Sequence, residues 1–245
     1  MQLSPLALSF IIVAVGFAAG IVPFFFNWSH KTAHRWIAFG AGTILGAAFL
    51  HMIPEGYELA GASSLPMLLA GFLALYIIEQ LALKHPHEED KGEFHEIGFL
   101  TFLGIATHNL IDGIALGSGM SLPQLTPAIF LALILHKIPT TFSLSLLLVH
   151  GDYKKVSILK FLLVVLVAIP LGTLLSQAVV ENFGVDHAKT IGRLILFSAG
   201  TFFYIGAYEL LPEMHRKSGP ESRIGLFFVI GVVIMFALRL VGPIL

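Results

Sequence analysis

The sequence predicts an all-α polytopic membrane protein: a bundle of eight transmembrane helices in which helices 1–3 and 6–8 form an inverted repeat around helices 4 and 5. Three observations carry this reading. Hydrophobic residues make up 56% of the chain and charged residues only 12%, with a mean hydropathy of +0.88, which is far from a water-soluble domain. The apolar residues gather into eight stretches close to the roughly 20 residues that a helix needs to cross the hydrocarbon. Two of those stretches share a residue pattern at a constant offset of 158.

The first stretch is 5–26. It is read as a retained helix and not as a signal peptide, because Met1-Gln2-Leu3-Ser4-Pro5 contains no basic residue and the apolar run is too long for a cleaved leader. Further spans follow at 36–55, 66–83, 97–117, 126–149, 157–180, 190–211 and 224–243. All eight are read as one transmembrane domain over 1–245, interrupted by a single polar loop at about 84–96.

Basic residues orient the bundle. With the N-terminus outside, the inner loops hold Lys31, Arg35, Lys84, Lys91, Lys154, Lys155, Lys160, Arg216, Lys217 and Arg223, ten of the fourteen Lys and Arg. The outer loops 56–65 and 118–125 hold none, so the expected topology is N-out and C-out. No basic stripe exists beyond short loop clusters, so no nucleic-acid partner is expected, and the lipid bilayer is the surrounding medium. With no cysteine, any metal must be held by imidazole, carboxylate, carboxamide or backbone oxygen.

The shared pattern is Ala41-Gly42-Thr43 leading to Pro54-Glu55, and Ala199-Gly200-Thr201 leading to Pro212-Glu213. The second and seventh spans cross in opposite directions, so similar sequence in opposed orientation marks an inverted repeat, a construction whose substrate site lies near the midplane. Prolines inside two other spans point the same way. Pro139 and Pro170 cannot donate to the carbonyls of Leu135 and Leu166, and freed carbonyls at membrane depth face protein or a wet cavity.

The chemistry concentrates on the fourth and fifth spans. His108 and Asp112 are four residues apart and share a helix face, with Asn109 on its flank. His136 and Thr140 repeat that spacing, with Lys137 beside His136. A charge inside the membrane costs roughly 2.5–3.5 kcal/mol on insertion scales and usually marks function. Two imidazoles and a carboxylate on neighbouring antiparallel helices suit a divalent first-row cation such as Zn2+, and Fe2+, Mn2+ or Cd2+ nearly as well, with Asn109 offering an oxygen. Toward the span ends, His51 and Glu55 form a possible entrance, and Glu79, Glu209, Glu213 and His215 a possible exit. The loop residues His85, His87, Glu88, Glu89, Asp90, His95 and Glu96 are dense in ligands without a fixed spacing.

The run His108-Asn109-x-x-Asp112-Gly113, then His136-Lys137-x-Pro139, then Leu211-Pro212-Glu213-Met214 resembles the ZIP (Zrt- and Irt-like) family of divalent metal transporters, in the branch with His-Lys-x-Pro on the fifth helix. The likeness extends over all eight spans. It implies outside termini, a metal-liganding inner loop between helices 3 and 4, a homodimer, and movement of zinc, iron, manganese or cadmium into the cytoplasm. The family's transport site lies between helices 4 and 5, which carries over to His108, Asn109, Asp112 and His136. Many relatives place carboxylates directly after the helix 5 histidine position and three residues later, and with a helix 6 carboxylate these complete a two-metal centre. Lys137 and Thr140 stand at the helix 5 positions here, and helix 6 has Ile169 before Pro170, so one metal is expected. The short loops fit a prokaryotic plasma membrane.

Two other functions use the same residues. An intramembrane zinc-dependent hydrolase needs fixed ligands, an open water position and a general base, but no His-x-x-x-His or His-Glu-x-x-His occurs. A proton-coupled solute carrier would use Asp112 and Lys137.

Overall fold

In a computed structural model, the described residues are 3–26, 28–82, 93–118, 126–183, 187–212 and 223–241. They form eight helical rods, named here by their place in the chain. Helix α1 is Pro5–Ile21, extended by a 3-10 turn Val22–Phe25. Helix α2 runs His30–Ala47, passes through a π segment Ala48–Met52 and resumes as Ile53–Ala60. Then come α3 (Pro66–Ala82), α4 (Glu93–Ser118), α5 (Thr126–His150) and α6 (Lys155–Phe183). Helix α7 is His187–Phe203 continued by a π segment Tyr204–Leu210, and α8 is Ile224–Val241. Seven rods are long and apolar enough to cross a membrane, and α8 supplies a shorter apolar helix.

Local chemistry sets the ends. Ser4 caps α1 through its side chain to the Ala7 N–H, with Pro5 at the first position, where its missing N–H costs nothing. Ser29 caps α2 in the same way through Thr32. Gly61, at φ 74°, ends α2 in a conformation that glycine adopts without strain, and Pro66 opens α3. Several rods outrun the hydrophobic spans: α2 begins at His30 and ends at Ala60, and α4 begins at Glu93. Hydropathy sees the part of a helix that matches the hydrocarbon, whereas backbone hydrogen bonding continues into the polar ends.

The rods form two four-helix groups. Helix α4 packs on α6, α1 on α5 and α1 on α6; α2 packs on α8, α3 on α7 and the Ile53–Ala60 part of α2 on α7. The groups meet where α2 lies on α5 and α4 lies on α7. These pairings are the pattern that exchanging helices 1–3 with 6–8, and 4 with 5, leaves unchanged.

Glycines let the repeat close. A Cβ on Gly42 of α2 would sit on the carbonyl oxygen of Phe228 in α8, and one on Gly231 on that of Phe39. In the other half, a Cβ on Gly200 of α7 would sit on the carbonyl oxygen of Leu68 in α3, and one on Gly71 on that of Phe197. Both crossings bring backbones into contact at small residues, as packing in lipid favours. Gly113 and Gly172 do the same for α4 and α6.

Candidate metal centre

Helices α4 and α5 deliver the predicted ligands to one point. On α4, the one-turn spacing stacks His108 over Asp112, with His108 Nε2 3.1 Å from Asp112 Oδ2. From α5, His136 Nε2 arrives 3.3 Å from His108 Nε2 and 3.3 Å from Asp112 Oδ2. Two imidazole nitrogens and a carboxylate oxygen therefore form a nearly equilateral triangle. Zinc held by such ligands at about 2.0–2.1 Å in tetrahedral geometry has donor atoms about 3.3–3.4 Å apart, so the triangle has the size of one face of that tetrahedron and leaves the fourth position open. Among the described residues, these three are the one group of three or more His, Asp and Glu that closes to ligand distance.

The remaining predicted groups surround the triangle. Lys137, fully buried, donates from Nζ to Asp112 Oδ2 at 2.8 Å and to Asn109 Oδ1 at 2.6 Å. The Asn109 amide in turn donates to the Val165 carbonyl of α6 at 2.7 Å. Asn109, predicted beside the histidines as an oxygen donor, thus turns its oxygen to the ammonium. Thr140 returns its hydroxyl to the carbonyls of His136 (3.0 Å) and Lys137 (3.2 Å) on its own helix, and Thr141 bonds the Lys137 carbonyl at 2.7 Å. With Asp112 and Lys137 both ionised the pair is neutral, and each is solvated by fixed partners, as buried ions require.

Sequence reasoning missed the α7 side of the centre. His108 Nδ1 lies 3.1 Å from Ser198 Oγ, and the Phe202 ring sits 4.3 Å from the imidazole, centroid to centroid. Ser198 and Phe202 are one turn apart on α7 and both fully buried. In the sequence, Ser198 is one more small residue before Ala-Gly-Thr; its repeat partner, Gly40, is the one hint that the position carries more than packing.

With this geometry in hand, comparison with known proteins is decisive. The model of the ZIP zinc transporter family matches residues 3–98 and 82–239. The chain belongs to the ZIP family. Similar proteins include zinc transporter ZIP9-B of Xenopus laevis, 28% identical over an alignment covering 81% of this chain and 80% of that protein. Zinc transporter ZIP9 of Micropogonias undulatus is 28% identical over 91% of each, and zinc transporter 3 of Arabidopsis thaliana 23% identical over 81% of this chain and 71% of that protein. Membership in a ZIP transporter family sets aside the hydrolase reading.

The peripheral residues of this ZIP chain are not among the three donors of the triangle. His51 Nε2 is 2.8 Å from the Met235 carbonyl of α8, and Glu55, one turn along α2, is half-buried. Glu79 on α3 accepts a hydrogen bond from the buried Tyr204 hydroxyl on α7, and Glu209 is half-buried within the π segment of α7. Glu213, His215 and the loop from His85 to Asp90 lie outside the described residues, as do the side chains of His95 and Glu96.

Proposed function

We propose that this chain carries divalent metal ions, zinc foremost, across the membrane towards the cytoplasm through one metal site formed by His108, Asp112 and His136. The observation that carries the proposal is the triangle of Nε2, Nε2 and Oδ2 at 3.1–3.3 Å, sized for a tetrahedral cation with one position left for water or an exchanging ligand. Family membership and relatives named as zinc transporters support the same reading. Imidazole and carboxylate donors accept Fe2+, Mn2+ and Cd2+ as well, so the range of cargo follows from the ligand set.

Lys137 makes the site mononuclear. Its ammonium holds Asn109 Oδ1 and Asp112 Oδ2, the two oxygens that a second cation beside the first would need, and Thr140 brings no carboxylate there. Asn109 contributes as the lysine's partner, and its side-chain oxygen is a further donor for the cargo. One carboxylate neutralised by one ammonium gives a dication little net compensation, and moderate binding suits a site that must release what it accepts.

His51 and Glu55 serve as the entrance, and Glu79, Glu209, Glu213 and His215 as the exit, of an N-out, C-out chain. Opposed repeats around a central site favour alternating exposure of that site to the two sides. A homodimer follows from family resemblance. A prokaryotic plasma membrane rests on the short loops alone, since the relatives named above come from animals and a plant.

Zinc uptake by proteoliposomes holding the purified chain is the test, run with binding stoichiometry. The expected result is saturable uptake, about one zinc per chain, and loss of uptake in Asp112→Ala at normal membrane expression. Retained uptake in that variant defeats the site assignment, and two zinc ions per chain defeats the role given to Lys137.

A further inference from the structure

We propose that Ser198 of α7 is the positioning residue of the metal site: its hydroxyl oxygen accepts the His108 Nδ1 proton and so turns the Nε2 lone pair into the ligand triangle. The proposal rests on the reading of His108 as a metal ligand. A neutral imidazole has one donor nitrogen and one acceptor nitrogen, and the partner of one decides what the other offers. His108 Nε2 faces His136 Nε2 and Asp112 Oδ2 at 3.3 and 3.1 Å, so it is the ligand atom, and the ring proton belongs on Nδ1, which is 3.1 Å from Ser198 Oγ.

Three further observations support it. First, Ser198 behaves unlike six other buried hydroxyls of the bundle. Thr43, Thr140, Thr141, Thr173, Ser176 and Thr201 each return their hydroxyl to a carbonyl three or four residues earlier on their own helix, the usual resting place for Ser and Thr in membrane helices. Ser198 reaches instead to a side chain on another helix. Second, the Ser198 carbonyl is anchored by Thr201 Oγ1 at 2.8 Å, and Phe202, one turn on, packs its ring 4.3 Å from the imidazole. Together they hold the ring plane from one side. Third, the repeat-related position on α2 is Gly40, which has no side chain to donate or accept. The hydroxyl is therefore not something the repeat requires for packing.

The contact also ties the two helix groups together at the cargo, because His108 stands on α4 and Ser198 on α7. Partners of this kind, one bond removed from the metal, are worth about 10–100-fold in metal affinity where they have been removed.

The test is zinc uptake by the full chain in proteoliposomes, comparing Ser198→Ala, Ser198→Gly and Ser198→Thr with the unaltered protein and with Asp112→Ala. Glycine is included because Gly40 shows that the paired helix carries it at this position. The expected outcome is a KM about tenfold higher for the alanine and glycine variants, maximal rate within twofold, and a KM near the starting value for threonine, which keeps the hydroxyl. A KM unchanged in folded alanine and glycine variants overturns the proposal, as does an equal rise in the threonine variant, which would make the effect one of packing. Loss of uptake in Asp112→Ala beside an unchanged KM in Ser198→Ala sinks only the positioning role, whereas uptake surviving Asp112→Ala sinks the site reading beneath it.

Discussion

Helices α2 and α7 solve the same packing problem with the same backbone and then part company in chemistry. Both carry Ala-Gly-Thr at a crossing where glycine brings two backbones together, and in both the threonine hydroxyl donates 2.8 Å to the carbonyl three residues back. Both widen into a π segment just before a proline: the Ile53 N–H bonds the Ala48 carbonyl, and the Leu211 N–H bonds the Gly206 carbonyl, five residues back in each case. The positions correspond at the same offset of 158. A wide turn at that point accommodates the N–H that Pro54 and Pro212 lack, so the proline explains why the π segment recurs. The side chains differ. Gly40 corresponds to Ser198, and His51 to Glu209, in the repeat. Shared backbone with unlike polar groups teaches that the repeat supplies the scaffold and individual residues supply the direction of the chemistry.

The comparison is broken most forcefully at its glycines. Gly42→Ala and Gly200→Ala each place a methyl on a neighbouring carbonyl oxygen, where backbone must move, so each is expected to cost about 2–3 kcal/mol of stability, the upper part of the overpacking range. Thermal unfolding in detergent measures it, with Gly225→Ala as a neutral control because nothing lies within 4 Å of its added Cβ. A large loss in one half and none in the other ends the claim of equivalent crossings.

A smaller effect separates the halves by function. Under the entrance and exit assignment, His51→Ala is expected to raise the KM for zinc about fivefold, and Glu209→Ala to lower the maximal rate by a similar factor at nearly constant KM, each about 1 kcal/mol. Uptake kinetics in proteoliposomes of known orientation decide it; the same change in both variants means that the two positions share one role.

Smallest is the threonine pair. Thr43→Val and Thr201→Val each remove one buried hydroxyl-to-carbonyl bond, and about 1 kcal/mol or less is expected from each, equal in the two halves, in the same unfolding assay. Inequality would show that Thr201, through the Ser198 carbonyl, does more than its partner.

The bundle was legible from sequence because lipid allows few alternatives: an apolar stretch of about 20 residues must satisfy its backbone internally, and a helix does so. Helix ends were less legible, since polar residues such as His30 to Arg35 belong to α2 without being apolar. The grouping of candidate donors was readable too. His108 and Asp112 share a face by the helical period alone, and the short connection between α4 and α5 makes these helices neighbours. Asn109 was harder, because whether its oxygen meets a metal or the Lys137 ammonium depends on how α4, α5 and α6 rotate against one another.

The sequence by itself therefore determined the membrane class, the number of spans, the repeat and the residue types at the centre, all of which follow from composition and from periods within a single helix. Only the tertiary structure decided that three donor atoms meet at 3.1–3.3 Å, that Lys137 occupies the neighbouring oxygens, and that Ser198 stands behind His108. The physical reason is that contacts between helices depend on their relative rotation and depth. These are set by the glycine crossings of the whole bundle and by no stretch of sequence on its own.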